Sequence, residues 1–347
     1  EVDPVILFMD VGQAGNARQV DDAGRAAFGG TAHLAFDLEQ QVEFVRREFR
    51  RLNPGFEKVV AYIEKGAVTN LEVHAQDLQR LDPLRSLRDL RTLHVNNKGD
   101  ITRSVSLEPL RGLPLESLYI RSFTPESFAP LEGMKLNTLW VVPSGVKDLS
   151  SLRNVSVRKL HIGGMHQNLH LKDLTPLKGK PLEMLHINDT AVTDLSPLAG
   201  MPLKELWVNG FWSTVVEDLS PLRDMPLTSL NIGSLRINDL TPLGTLKALK
   251  TLHLGLPRVK DLRPLEKLSI EQLGLDGTNP ESLVPMKSLP LKSIANLKFE
   301  PFRGDADVLR AIPTLEYING RNAKEFLKEA DDKMAEFQKW CDDVAKL

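Results

Sequence analysis

Seven ring-bearing side chains recur at near-regular intervals in this chain: His94, Tyr119, Trp140, His161, His186, Trp207 and His253. Imidazole, phenol and indole groups stack on other molecules, exchange protons near neutrality or, for histidine, hold transition metals. The spacing selects among these. Side chains one repeat apart on neighbouring strands stand about 4.8 Å from each other, so they form a stacked line on a sheet, not a catalytic pocket. His161 and His186 on adjacent strands need further ligands to hold a metal, and only His166 and His170 in the adjoining loop offer them. Surface histidine is far more often unliganded, so neither a metal nor another cofactor is expected. Serine, histidine and aspartate are plentiful, but each falls in a repeating position that explains it. No catalytic residue is assigned, and the chain is not read as an enzyme.

These rings are placed by a repeat. Its proline recurs as Pro83, Pro109, Pro130, Pro176, Pro197, Pro221, Pro242, Pro264 and Pro285, with Ser151 in the one missing place. The steps run from 21 to 26 residues. A strand half keeps pace as Leu93, Leu118, Leu139, Leu160, Leu185, Leu206, Leu230, Leu252, Leu273 and Ile294. One unit, LHINDTAVTDLSPL over 185–198, alternates apolar and polar residues as a strand does. Ser196-Pro197 then reads as the cap and first residue of a short helical turn. LxxLxL at this period is the leucine-rich-repeat signature. The expected fold is an α/β solenoid: a horseshoe with a parallel concave sheet, a convex side of 3-10, short helical or loop segments, and helical caps at both ends.

The 347 residues are divided accordingly. Residues 1–36 are an N-terminal segment, either the end of an upstream domain or an arm packed on the solenoid. Residues 37–66 are a cap helix and hairpin, 67–300 hold about ten repeats, and 301–347 form a C-terminal helical cap. Pro4–Met9 reads as a buried strand. A helix is expected from Asp37, which forms a capping box with Gln40; Asn53-Pro54-Gly55 ends it. The last helix, from about Asn322, has an apolar stripe at Leu327, Ala330, Met334, Phe337, Cys341 and Val344. That heptad-like spacing suits a cap over the last repeat, the reading preferred here, or a dimer seam.

Charge is nearly balanced, 44 basic against 46 acidic residues, which leaves no footprint for nucleic acid. No run is long and apolar enough to span a membrane. The single cysteine, Cys341, excludes an internal disulfide framework. With no visible leader after Glu1, it favours a cytoplasmic setting; the missing Met implies that something upstream was removed.

The LxL-x5-DLSPL layout resembles the internalin-like leucine-rich repeats of bacteria. LNPGF at 52–56, EKGAVTNLEV at 64–73 and LRAIPTLEYINGRNAKEFLKE at 309–329 resemble segments that bracket the repeats in planctomycete-type proteins. In many of those the repeats follow a serine/threonine protein kinase domain. The resemblance implies an interaction or sensing module, and no kinase motif is present in this chain. Internalin-like repeats place Asn at the turn after the strand. Thr190, Leu235, Pro257 and Thr278 stand there instead, so the turns are expected to be held by the aspartates at 148, 173, 194, 218, 239 and 261.

The candidate binding surface is the concave face of the middle repeats. It comprises Tyr119, Trp140, His161, His186, Trp207 and His253, with Phe211 and Trp212 on a rim lengthened by insertions. A protein or peptide is the expected partner of a monomer. A kinase-linked sensor and a carbohydrate scaffold are the alternatives. Its histidines predict affinity that varies between about pH 5.5 and 7.5.

Overall fold

Most repeat strands are set by one backbone carbonyl that accepts two N–H groups from the following repeat. The Arg91 carbonyl takes those of Glu116 and Ser117 at 2.8 and 3.0 Å, and the Glu183 carbonyl takes those of Lys204 and Glu205 at 2.8 and 3.1 Å. The pattern recurs at Lys204 and Lys250, setting the same register at each step. The computed structural model describes residues 5–9, 32–99, 103–142, 145–163, 170–210, 216–234 and 236–344. The chain divides into two compact units, Glu1–His170 and Leu171–Leu347, and each is taken by itself.

In the first unit, strand β1 (Val5–Met9) pairs antiparallel with β2 (Phe56–Glu64), which pairs antiparallel with β3 (Ala67–Ala75). Lys65 and Gly66 join the hairpin at φ 51° and 78°, the two-residue turn that matches strand twist. Parallel strands follow: β4 (Thr92–Asn97), β5 (Ser117–Arg121), β6 (Lys135–Val142) and β7 (Ser156–Ile162). Leu71, Leu93, Leu118, Leu139 and Leu160 align across them, all fully buried.

Helix α1 runs Ala32–Leu52, so Asp37, expected at its start, lies in its second turn. Ala32 and Ala35, strong helix formers, extend the helix past the residue that reads as its cap. Its Val42, Val45 and Phe49 are buried. The wholly buried Asn53 takes N–H groups of Gln79 and Arg80 at 2.7 and 2.8 Å. It donates to the carbonyls of Phe49 and Arg80 at 3.1 and 3.0 Å, tying the helix end to the first repeat.

The second unit carries parallel strands β8 (Met184–His186), β9 (Glu205–Val208), β10 (Ser229–Gly233), β11 (Thr251–Gly255), β12 (Gln272–Gly274), β13 (Ser293–Ala295) and β14 (Tyr317–Ile318). Leu185, Leu206, Leu230, Leu252, Leu273 and Ile294 are in register. Beyond them lie α2 (Asp305–Arg310) and α3 (Ala323–Val344). Asn322 caps α3, its Oδ1 accepting the Lys324 N–H at 3.0 Å. Buried Asp305 holds the junction through a 2.7 Å ion pair to Arg303 and the Glu300 N–H at 2.8 Å. No helix among the described residues is long and apolar enough to cross a membrane.

In most repeats of both units the return half is a 3-10 turn with Pro at its second residue and a buried Leu at its third, as in Ser196–Leu198. The serine is not the cap expected of it; it is the first residue of the turn, and Asp194 caps. The Asp194 Oδ1 takes the Ser196 N–H at 2.7 Å. Asp148, Asp173, Asp218, Asp239 and Asp261 repeat this contact at 2.7 to 2.9 Å, so the aspartates do bond nearby N–H groups, but at the start of the 3-10 return and not at the turn after the strand where they were expected. Where Ser151 replaces proline, its hydroxyl takes the Phe128 N–H of the preceding repeat at 3.0 Å. The inner turn keeps polar ties as well: Thr190 donates to the Ile187 carbonyl, and Thr278 accepts the Leu256 N–H. Asn97 and Asn319 likewise accept a backbone N–H from the preceding repeat, those of Leu78 and Leu297 at 3.0 and 2.9 Å. Leu235 lies outside the described residues.

Gly200 follows one such turn at φ 69°, where an added Cβ would meet nothing within 4 Å. Gly200→Ala should therefore cost about 1 kcal/mol of second-unit stability from backbone strain alone. A urea titration in which the variant matches wild type would refute this.

Candidate functional site

The strand residue between the two inward apolar positions faces away from the leucine layer. In the first unit this row is Glu72, His94, Tyr119, Trp140 and His161, one per parallel strand and in register. His94 lies flat on Tyr119, ring centres 4.2 Å apart and planes 7° from parallel. Trp140 lies on His161 at 3.8 Å and 30°. Glu72 accepts the Tyr62 hydroxyl at 3.1 Å and stands 3.3 Å from His74 Nε2. The sequence reading missed Glu72, although Leu71 and Val73 flank it with the ladder's own spacing.

In the second unit the row is His186, Trp207, Asn231, His253 and Gly274. His186 stacks on Trp207 at 4.1 Å and 10°, and its Nε2 sits 2.8 Å from Glu205 Oε1. The rung without a side chain is filled from its neighbour: a Cβ on Gly274 would lie 2.3 Å from His253 Nδ1. Glu205 was also missed; it occupies a variable position whose partner lies one repeat away.

Stacking of this kind turns one face of each ring toward a neighbouring strand and presents the ring edges outward. His94, Tyr119, Trp140, Trp207 and His253 remain half-buried. His161 and His186, expected at the open centre of the surface, are only 7% and 4% exposed. The indoles beside them cover them, since rings 4 Å apart on adjacent strands shield one another. Phe211, Trp212 and His166 lie outside the described residues. His170 is exposed, and among the described residues no three His, Cys, Asp or Glu groups gather as a metal site would require.

Burial lowers the pKa of His186, with Glu205 opposing, and of His94, with Glu72 opposing; it lowers that of His253 alone. The neutral imidazole is the native form, so the unfolded chain binds protons that the folded chain refuses. That stability is fully present above the ordinary histidine pKa, about 6.5, and is lost as pH falls below it. The melting temperature should drop between about pH 7 and pH 5.5, and much less in a His94→Gln/His186→Gln/His253→Gln variant. Equal slopes for the two proteins would refute the assignment. Any histidine-linked change in affinity moves below neutrality for the same reason.

In-register leucines, parallel strands and a proline-bearing 3-10 return make each unit a leucine-rich-repeat solenoid. No protein-family model matches the chain, and no curated protein sequence does. Among solved structures it is similar to an internalin, InlF, of Listeria monocytogenes: 21% identity over 81% of this chain and 94% of that one, TM-score 0.47. Internalin C2 of the same organism is 25% identical over 58% of this chain and 77% of its own, TM-score 0.43. A leucine-rich-repeat protein of Leptospira interrogans is 14% identical over 72% and 89%, TM-score 0.26. These are likenesses of architecture; the chain's own repeat geometry defines the fold.

Proposed function

We propose that the chain is a non-catalytic module that binds a protein or peptide on the outward face of its strands. Tyr119 and Trp140 carry the contact in the first unit, Trp207 and His253 in the second. His161 and His186 act behind the indoles by holding their orientation. The observation that supports this is the row of in-register rings at positions the leucine core does not use. Rings ordered by their neighbours lose little entropy when a ligand lands, and indole and phenol edges add hydrogen-bonding groups. A sugar needs free ring faces; here neighbours cover part of them, which favours a polypeptide over a carbohydrate. The test is titration of a partner recovered from the source cell against wild type and a Trp140→Ala/Trp207→Ala double variant. Retained affinity in a folded double variant would place binding elsewhere.

A further inference from the structure

The first half of α3 packs as a cap, with Ala323 and Leu327 buried. Its second half does not. Phe337, Trp340 and Val344 are 43%, 60% and 47% exposed, and Phe302 before α2 is 69% exposed. The heptad stripe read from the sequence omits Trp340, which lies three residues beyond Phe337 and four before Val344. Phe302 meets Phe337 edge-on at 5.1 Å, and Phe337 meets Trp340 at 5.9 Å. So many rings at one end of the second unit form an apolar surface larger than a cap needs.

Beside this patch is a groove of about 340 Å³, lined by Phe299, Phe302, Phe326, Met334 and Phe337. An apolar cavity of about 150 Å³ holds benzene, so the groove has room for an indole. Much of the hole's lining and the knob thus lie on one helix, with Lys333–Met334 about two turns before Trp340. Charge follows the same division. At the groove, Arg321 and Lys333 both lean on Glu329, at 2.5 and 2.9 Å, two cations to one carboxylate. Around Trp340, Glu336, Asp342 and Asp343 outnumber Lys339. Glu336 and Asp343 share the face of Trp340 by helical spacing. A basic-rimmed hole and an acid-flanked knob on one element complement a second copy related by a two-fold axis.

We propose that α3 is a self-association surface: two copies pair antiparallel through its C-terminal half, and Trp340 of each enters the groove of the other. The axis falls near Phe337, midway between Lys333–Met334 of the groove and Trp340. The paired length, about ten to fifteen residues, spans only about 15–23 Å. The buried area then sits at the low end of specific interfaces, near 1,000 Å² in total, and a micromolar dimer is expected.

Sedimentation velocity on the full chain, from about 1 to about 200 µM, tests this. Wild type should move from monomer to dimer across that range, and added salt should weaken the dimer by screening the rim charges. Trp340→Ala is felt at both symmetric contacts and should raise the dissociation constant at least about tenfold. Its melting temperature at low concentration should equal wild type, since the ring is exposed. A wild-type chain that stays monomeric throughout overturns the proposal and leaves the patch to another occupant. A dimer indifferent to both Trp340→Ala and Phe337→Asp overturns it equally.

Discussion

Trp207→Ala should weaken partner binding about thirtyfold, a loss of about 2 kcal/mol of the kind a central aromatic hot spot shows. Removing the indole takes away edge contacts with the ligand and uncovers His186, which now lies flat beneath it at 4.1 Å. Lying outside the leucine core, the ring would by itself contribute little to stability. The stack revises that: about 1 kcal/mol is the usual worth of such a pair beyond its buried area. Trp207→Phe separates the two effects. It keeps a ring on His186 and so most of the stability, but loses the indole N–H and part of the contact area. Isothermal titration and thermal melting of both variants provide the check. An unchanged affinity in Trp207→Ala, with the melting temperature down by several degrees, would make the row a packing device and remove the binding assignment.

Asn53→Ala should be the most damaging single polar substitution in the first unit, at about 3 kcal/mol. The side chain makes four hydrogen bonds while wholly buried; alanine would leave the Gln79 and Arg80 N–H groups without this acceptor and take one donor from each of the Phe49 and Arg80 carbonyls, of which Phe49 keeps the Asn53 N–H at 2.9 Å. Asn53→Asp is the informative control. A carboxylate still accepts from Gln79 and Arg80 but cannot donate, and it buries a charge against the Phe49 and Arg80 carbonyls. It should be no better than alanine at neutral pH and should recover as the pH is lowered toward its protonation. Urea unfolding monitored on the first unit reads both. A loss under about 1 kcal/mol for Asn53→Ala would mean that water replaces the side chain and that the tie is dispensable.

The leucine register was legible because burial is all or none. A residue such as Leu206 sits in the core at every repeat, and period and identity recur together. That the aspartates bond nearby N–H groups was legible for a related reason: the contact spans two residues and needs no knowledge of the next repeat. What depended on the neighbouring repeat was hidden. Nothing in the spacing of His186 and Trp207 says whether their faces or their edges meet solvent, and Glu205 declares no partner until the strands are paired. The start of α1 was misread because Asp37 has a cap's chemistry inside a run that alanine already commits to helix. Trp340 was passed over because the stripe was drawn as a strict heptad, while an exposed apolar face obeys no such rule.

Six repeats bring their own aspartate cap, three others a serine in its place, and each such repeat asks of its neighbour little more than one carbonyl near the strand start and one leucine to lie against. Cutting out one whole 21-residue segment, such as Leu185 to the residue before Leu206, rejoins like with like. No capping group is orphaned, and the apolar layer closes again on an equivalent leucine. The number of repeats is therefore a variable that inheritance can adjust by duplication or loss without redesigning any residue. Since every strand contributes one position to the outward row of its unit, the number of repeats and the length of that row rise and fall together. The protein is in this sense a ruler whose graduations are its strands.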